Sequence, residues 1–553
     1  MPDDKTTTPR ILEPVDPSDC SYEDSATIRR RCSERLADLL GWVDFCAREP
    51  KAVLWFEPRL VRVMLSLGLL VFQFFLTRAD EVHADGLGSD LVRQGKRYMK
   101  RFRQGRLLGT CFGKLKYWRT YFAPPDEAED AKHRHGIYPV DERLGISGDG
   151  FTMSIVSLAT RMSTKMAFDA AAATLMLFLR WSPAKRTIEE HALGLGAVAH
   201  EFQAELAPPS DDGEVLVIQP DSKGIPTATD EELRRRRGRR RPNPHPESKR
   251  HRGRAKRRKY GPRPRRQPGD KSKNARMATM VVMYTLRKTT DKDGRPVLLG
   301  PLNVRILASF APKKYAFQVA RREAIKRGFG PQSGKLIQFV SDGDDDLETY
   351  RKEYFGDYSP KEVVVTADLP HVLEYLWSAA TALHREGSGE TSKWVRVQRK
   401  RLLDSRADLV LRELRKILAS IPKRGPGNKG KRLRVEKALK YLTDNAPRLD
   451  YKLVRQMDLE LASGMVEGAI KHVIGQRFDN GGMRWIRERA EALLQLRCIE
   501  VNGDWDSFIQ WAHNKRQADA LAGCRPRLRR ATAPQLPTVK EFDIANPDCE
   551  IAA

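Results

Sequence analysis

The stretch 214–221 reads EVLVIQPD, and here the periodicity of the chain changes from helices to strands. A short apolar run that ends at an acid is typical of a buried strand. Four further stretches have strand patterns: ARMATMVVMYTLR (275–287), LNVRILASFAP (302–312), KLIQFVSDG (335–343) and EVVVTAD (362–368). Helical patterns, KYAFQVARREAIKRGFG and DDLETYRKEYFG, separate the last three of these strands.

The order of these elements decides the predicted fold. Three strands, a helix, a strand, a helix and a strand predict a mixed sheet, with three antiparallel strands and two parallel additions. This is the order of an RNase H-like α/β domain, which we place at 214–500. Helical patterns from about 371 to 460 predict an all-helical insertion in that domain.

Both ends of the chain differ from this domain. Residues 1–24 are polar and contain proline, which predicts a disordered tail, and 501–553 predict a C-terminal helix and tail. The region 25–213 has mainly helical periodicity, including SDLVRQGKRYMKRFRQGR (89–106). Only 107–123 has the alternation of a strand. The predicted architecture is therefore a mainly helical N-terminal region followed by an α/β domain.

The segment 164–205 predicts a DNA-reading element in the N-terminal region. A helix, a short turn and a helix beginning with Lys185, Arg186 and Thr187 fit a helix-turn-helix. Any small helical bundle has the same pattern, so that alternative stays open.

The charge of the chain points to a polyanionic partner. The formal net charge is +28 and the pI about 9.9, in 553 residues of which 40% are hydrophobic. Nucleic acid is the leading interpretation and an anionic membrane surface the alternative.

Residues 234–273 form an arginine block that supplies most of this charge. It carries twenty Lys or Arg against two acids and is inserted between the first two strands. It predicts a cationic segment that brings duplex DNA to the strand ends, although a targeting or RNA-binding segment has the same composition. The predicted DNA contacts in the block are Arg235, Arg237, Arg240, Lys256, Arg257, Arg258 and Lys259.

Cysteine usage and hydropathy indicate the compartment. Seven scattered cysteines, never spaced C-x-x-C, predict neither a disulfide framework nor a zinc site, and they suit a reducing compartment. The N-terminus lacks the order of a signal peptide. The most apolar run, VMLSLGLLVFQFFL (63–76), is too short to span a bilayer. We therefore expect a buried helix there, no membrane association and a cytoplasmic protein.

Acids follow two of the predicted central strands. Asp221 ends the first strand and Asp342 follows the fourth, and the RNase H-like order makes these strands parallel neighbours. Two carboxylates, with a third from a helix, can bind a pair of Mg²⁺ or Mn²⁺ ions, which activate an oxygen nucleophile against a phosphodiester. Each acid alone also fits a turn or cap. Asp368 ends another strand and is the alternative second acid.

Four stretches together resemble a known family: LVIQPDSKGIPT, LIQFVSDG, DLPHVLEYLW and SGMVEGAIKHVIGQRFDNGGMRW. They are similar to the DDE transposases of bacterial insertion sequences, in the Kra-type group related to the Mutator-like transposases. The resemblance implies that Asp221, Asp342 and Glu467 form the catalytic and metal-binding triad. The remaining implied residues are the accessory Asp-x-x-His motif, Asp368 and His371, and two DNA contacts, Arg477 and Trp485.

The resemblance implies a DNA transposase of bacterial, nucleoid-associated location. The N-terminal region would bind terminal inverted repeats, and the RNase H-like domain would cut the element ends and join them to target DNA, with Mg²⁺ or Mn²⁺, as two ions. At least a dimer is expected, because both ends must be processed together. The alternatives are an RNase H-like nuclease or resolvase without strand transfer, and a non-catalytic basic nucleic-acid-binding protein.

Overall fold

A computed structural model of the protein describes residues 21–49, 53–93, 95–125, 136–146, 148–229, 275–479, 483–521 and 536–538. The chain divides into two compact units. The first unit is Met1–Phe202 with Asp504–Ala533, and the second is Gln203–Gly503 with Pro534–Ala553. The predicted C-terminal helix thus belongs to the N-terminal unit. The predicted DNA contacts of the arginine block lie outside the described residues.

The helices and strands are numbered in chain order. The helices are α1 Ser25–Cys46, α2 Val53–Leu87, α3 Pro139–Arg143, α4 Met153–Lys165, α5 Phe168–Leu179, α6 Lys185–Gly196, α7 Ala199–Glu205, α8 Lys313–Lys326, α9 Asp345–Phe355, α10 Leu369–Ala380, α11 Gly389–Leu403, α12 Ala407–Ser420, α13 Asn428–Asp444, α14 Tyr451–Gln456, α15 Gly464–Ala469, α16 Arg487–Val501 and α17 Trp505–Leu521. The strands are β1 Asp90–Arg93, β2 Lys96–Thr110, β3 Gly113–Ala123, β4 Val215–Pro226, β5 Ala275–Thr290, β6 Pro296–Ser309, β7 Leu336–Ser341 and β8 Val363–Ala367.

The first unit contains a three-stranded antiparallel sheet in the order β1-β2-β3. Its strands β1 and β2 occupy 90–110, so the helix predicted over 89–106 is wrong. The physical reason is tertiary structure, namely the pairing of these strands. The strand pattern of β3 was visible in the sequence, and a strand is stable only when neighbours satisfy its backbone. The preceding segment provides that neighbour, and this overrides its local helical periodicity.

Helix α2 contains the apolar run that was expected to be buried. The helix is 35 residues long, and only 17% of its most apolar window is buried, so the expectation of a short buried helix is wrong. Helix α1 and strand β3 cover one side of it, where Val63 and Leu76 are buried. Of the described helices, α2 alone is long and apolar enough to cross a bilayer, by length and composition only; core helices of soluble proteins also pass this test.

Helices α4, α5 and α6 pack around a small core of Ile155, Ala159, Leu175 and Ile188. The chain turns between α5 and α6 at 180–184, and α6 begins with its basic residues exposed. This arrangement is compatible with the helix-turn-helix interpretation and with an ordinary helical bundle, and that interpretation stays a prediction.

The second unit is built on a five-stranded sheet in the order β6-β5-β4-β7-β8. Strands β4, β5 and β6 are antiparallel neighbours, whereas β7 pairs in parallel with both β4 and β8. The sheet thus has the three antiparallel strands and two parallel additions expected from the element order. Alternate side chains of a strand point to opposite faces. Leu216 and Ile218 of β4 face a core shared with α8 and α9, which includes Phe317 and Phe355.

The insertion after β8 is helical, as its pattern predicted. Helices α10 to α14 pack around their own apolar core. Val372 and Leu376 of α10, Leu414 of α12, and Val435 and Leu442 of α13 are each fully buried in it. The chain then returns to the sheet through 460–466 and enters α15, which contains Glu467.

Candidate active site

The register of β4 against β7 brings two acids together. In this parallel pair, Ile218 lies opposite Phe339. The pairing ends at these two residues. Asp221 and Asp342 each lie three positions further along, so they stand at the same edge of the β4–β7 pair, where neighbouring strands are about 4.8 Å apart. The prediction that Asp221 ends its strand is wrong, because β4 continues to Pro226 through its pairing with β5.

A third aspartate lies one strand further out. Ser341 of β7 pairs with Ala367 of β8, so Asp342 is level with Asp368. Asp368 is therefore two strands from Asp221, and Asp342 is one. This order favours Asp342 over Asp368 as the partner of Asp221.

Asp221 is the residue of the site with the most perturbed carboxyl group. Burial raises the pKa of Asp221 to about 6, and the charges of Asp342 and Glu467 act in the same direction. Hydrogen bonding from the backbone N–H of Ser222 and the proximity of His371 oppose this rise in pKa. The charges of Asp342 and Glu467 thus both reach the carboxyl group of Asp221.

Glu467 itself is half exposed on α15. Its carboxylate lies 3.9 Å from the ammonium group of Lys471, one turn further along, and the side chain is 49% exposed. That contact is an ordinary surface pair of low energetic value. Glu467 therefore has an exposed face toward solvent while its charge still reaches Asp221.

Two buried glutamines hold the segment that leads to Glu467. Gln338 of β7 accepts a hydrogen bond from the backbone N–H of Glu460 at 3.0 Å and donates to its carbonyl at 2.7 Å. Gln219 of β4 accepts from the N–H of Val466 and donates to the carbonyl of Ala462, each at 3.2 Å. Both side chains are fully buried.

Asp368 also holds the segment that leads to Glu467. It is 1% exposed, and its two oxygens accept hydrogen bonds from the N–H groups of Ser463, at 2.9 Å, and of His371, at 3.2 Å. Burial raises the pKa of the Asp368 carboxyl. Asp368 therefore caps α10 and ties the loop before Glu467 to the strand end, and we call Gln219, Gln338 and Asp368 the polar latch.

The glutamines of the polar latch were not predicted as site residues, although the sequence contains a pattern that points to them. A lone Gln within each of the apolar runs VLVIQPD and LIQFVSDG must find hydrogen-bond partners when it is buried. The pattern could have flagged these residues, but not the segment at 460–466, more than 100 residues away, that they bind.

An aromatic group borders Asp342. The hydroxyl of Tyr441 on α13 donates to the carbonyl of Asp342 at 2.7 Å, and its ring stacks on Tyr375 with centroids 4.0 Å apart. The His371 ring meets both tyrosines edge-on, and the His371 side chain is 33% exposed. His371 thus lies near Asp221, with part of its ring open to solvent.

Arg477 was predicted to contact DNA, but the structure places it in the interior. It is 2% exposed, its guanidinium group stacks on the Trp485 ring at 4.8 Å, and burial lowers its pKa to about 10. Trp485 is partly buried, and its indole N–H donates to the carbonyl of Phe478. The predicted DNA contact of Arg477 is therefore wrong in this structure, because its charge is covered by packing.

The carboxylates can be tested for their fit to a divalent cation. Among the described residues, no group of three or more His, Cys, Asp or Glu side chains forms a cluster that could hold a metal ion as it stands. The donor set of Asp221, Asp342 and Glu467 is nonetheless all oxygen, which Mg²⁺ and Mn²⁺ prefer. Burial is the main cause of the raised pKa of Asp221, and the negative charges of Asp342 and Glu467 add to it. A divalent cation would offset those charges, so the oxygen donors fit the metal chemically.

No family model matches the chain, and no curated protein matches it. Among solved structures, the chain is similar to the Drosophila P element transposase strand transfer complex, at 13% sequence identity and a TM-score of 0.26. That match covers 64% of this chain and 93% of the other. A likeness at this level carries no argument about fold or function, which rest here on the geometry of the sheet and on the residues at its edge.

Proposed function

We propose that the protein is a DNA transposase of the DDE type, with an RNase H-like catalytic domain in the second unit. The observation that supports this most is that Asp221 and Asp342 both lie just beyond the parallel pairing of β4 with β7, close enough for the charge of Asp342 to raise the pKa of Asp221. Glu467 is tied over the same face by the polar latch. The family motifs in the sequence coincide with these positions.

In this proposal Asp221, Asp342 and Glu467 hold Mg²⁺ or Mn²⁺, as two ions. The metal supplies activation of an oxygen nucleophile and stabilisation of the leaving oxygen. The protein's own groups position the acids: the latch fixes the loop before Glu467, and Tyr441 fixes the turn at Asp342. His371, partly exposed beside them, is placed to contact a phosphate oxygen of the DNA.

The proposal extends to the partners of the reaction. The substrates are the ends of a bacterial insertion sequence of the Kra-type group, and target DNA. The exposed basic start of α6 supports end recognition by the first unit, and the net charge of +28 supports a polyanionic substrate. At least a dimer would act on paired ends.

The test is a strand-transfer assay with the full chain. DNA from both flanks of the gene, pre-nicked to expose 3′ hydroxyls, is incubated with a target plasmid and Mg²⁺. Joined products are expected. Asp221→Asn, Asp342→Asn and Glu467→Gln should each reduce their formation by at least about 100-fold, because each removes a metal ligand.

Asp346→Asn is the matched control, since Asp346 is 64% exposed and belongs to the first turn of α9. It should retain strand transfer. Cleavage without joined products would favour the nuclease alternative. Absence of both reactions with Mg²⁺ and Mn²⁺, in a protein that still binds these DNA ends, would leave the non-catalytic alternative.

A further inference from the structure

The helical insertion carries a second concentration of positive charge, distinct from the arginine block. Residues 389–444, which comprise α11, α12, α13 and their connections, contain seventeen Lys or Arg against six Asp or Glu. We call this segment the basic bundle. All of it lies within the described part of the chain, so the surroundings of each cation are known.

The cations of the basic bundle fall into two groups. Some hold the fold together: Arg432 donates to the carbonyls of Leu418 and Ile421, and Arg401 donates to Gln398. Other cations of 389–444 are exposed, and their side chains make no hydrogen bond or ion pair with the described residues. Among these are Lys393, Arg396, Lys400, Arg415, Lys416 and Lys437. The side chains of the second group therefore take no part in the hydrogen bonds and ion pairs of the described fold.

On α11 the unpaired cations form a stripe. Lys393, Arg396 and Lys400 follow one another at intervals of three and four residues, which places them on one helix face. The buried residues of α11, which include Val395 and Leu402, lie on the face toward the apolar core. The stripe extends over about 10 Å, a length along which duplex DNA presents about six phosphate charges.

The basic bundle is anchored beside the carboxylates. Its last helix, α13, ends where Tyr441 donates to the carbonyl of Asp342, and the side chain of Asn445 packs against Gly343 of the same turn. Helix α13 has 17 residues and is therefore about 25 Å long, about seven base pairs of duplex, and its exposed Lys437 lies one turn before Tyr441.

We propose that the outer face of the basic bundle binds the phosphate backbone of a DNA duplex that enters the carboxylate site. The choice of DNA as the polyanion rests on the proposed function; the binding itself follows from clustered, unpaired and exposed cations. These contacts position the duplex without reading its sequence. The arginine block then supplies only part of the charge that binds DNA.

The test measures binding of the full chain to a 30-base-pair duplex by fluorescence anisotropy over a series of salt concentrations. Every protein carries Asp221→Asn and is kept in EDTA, so catalysis is excluded from the readout. The variant combines Lys393→Glu, Arg396→Glu and Lys400→Glu. Loss of three phosphate contacts should reduce the slope of log Kd against log salt by about 2–3 units and weaken binding at least tenfold.

The matched control combines Lys288→Glu, Lys292→Glu and Arg295→Glu, three exposed cations of the β5–β6 hairpin at the other end of the sheet order. It makes the same change in net charge and should leave the slope within about one unit of the parent. Equal slopes and affinities for the two triple variants would overturn the proposal, because only the total charge would then matter.

The experiment also distinguishes two further outcomes, misfolding of the variant and a preference for RNA. If the glutamate variant fails to fold by circular dichroism, the milder Lys393→Gln, Arg396→Gln and Lys400→Gln variant should still lower the slope. If duplex RNA of equal length competes as well as DNA, the assignment of DNA as the partner is wrong. Failure of the strand-transfer assay would leave these binding results unchanged, so the two proposals can fail separately.

Discussion

At the scale of single residues, the carboxyl group of Asp221 keeps its proton to higher pH than an ordinary aspartate. Burial, with Asp342 and Glu467 nearby, raises its pKa to about 6. Between about pH 4 and pH 6 the folded protein therefore binds more protons at this group than the unfolded chain does. The free energy of unfolding of the metal-free protein should fall over this interval as pH rises, by roughly 1–2 kcal/mol after solvent screening.

Urea unfolding in EDTA at several pH values measures this dependence. In Asp221→Asn the fall with pH should be absent or much smaller. Asp506→Asn is the control, because the Asp506 side chain is 96% exposed, and its pH dependence should equal that of the parent. Identical pH profiles for parent and Asp221→Asn would show that the pKa of Asp221 is not raised in the folded protein.

The sequence was a better guide to the positions of the acids than to the exposure of the cations around them. Asp221 and Asp342 were chosen because they follow apolar strand patterns, and in the structure both lie just beyond the parallel pairing of β4 with β7. Arg477 was chosen for its chemistry alone, and chemistry does not reveal burial. Nothing in the local sequence shows that the Trp485 ring covers the guanidinium group.

At the scale of elements, the polar latch determines where α15 begins. Replacing Gln338 by Leu removes the side chain that bonds both the N–H and the carbonyl of Glu460. Two part-buried backbone groups then lose a partner, at a cost of up to about 1–3 kcal/mol each. Because Glu467 follows on the same segment, the rate of end cleavage should fall about 10- to 100-fold, while DNA affinity stays unchanged.

Gln398→Leu is the matched control, since Gln398 is a buried glutamine of α11. It should lose stability but retain the cleavage rate under conditions where both variants are folded. Single-turnover rates, DNA binding and thermal unfolding of the two variants make the comparison. Equal loss of rate in both would mean that the latch acts only through overall stability.

Periodicity predicted the elements whose apolar patterns are regular. The helical insertion and the strands of the five-stranded sheet belong to this group, although β4 and its partner β7 lie far apart in the sequence. The segment 89–106 does not, because β2 owes its conformation to pairing with β3. The exposure of α2 was equally hidden, since hydropathy shows that a helix is apolar but not whether anything covers it.

At the scale of the whole molecule, the chain combines a net charge of +28 with two folded units. The change to strand patterns at 214 matches the start of strand β4 at Val215, whereas the second unit begins earlier, at Gln203. The return of the C-terminal helix α17 to the first unit could not be predicted, since it depends on tertiary contacts between distant parts of the chain.

The sheet pairing shows that the arginine block can be removed without breaking the fold. Strands β4 and β5 pair up to Pro226 and Ala275, on either side of the block, so a short loop can join them. Replacing 234–273 by a Gly/Ser loop removes twenty Lys or Arg and two acids, which lowers the formal net charge from +28 to +10. Thermal unfolding should be unchanged, while DNA binding becomes weaker and less salt-dependent.

The deletion and the α11 variant should act independently, because each removes a different set of phosphate contacts. Their effects on the free energy of DNA binding should then add to within about 0.5 kcal/mol, as expected for distant sites. The combined variant, with anisotropy measured at matched salt, makes this comparison. If the deletion alone abolishes all salt dependence, the basic bundle contributes nothing to binding in the full chain. If the deletion leaves the salt slope unchanged, the basic bundle binds the duplex without a contribution from the arginine block.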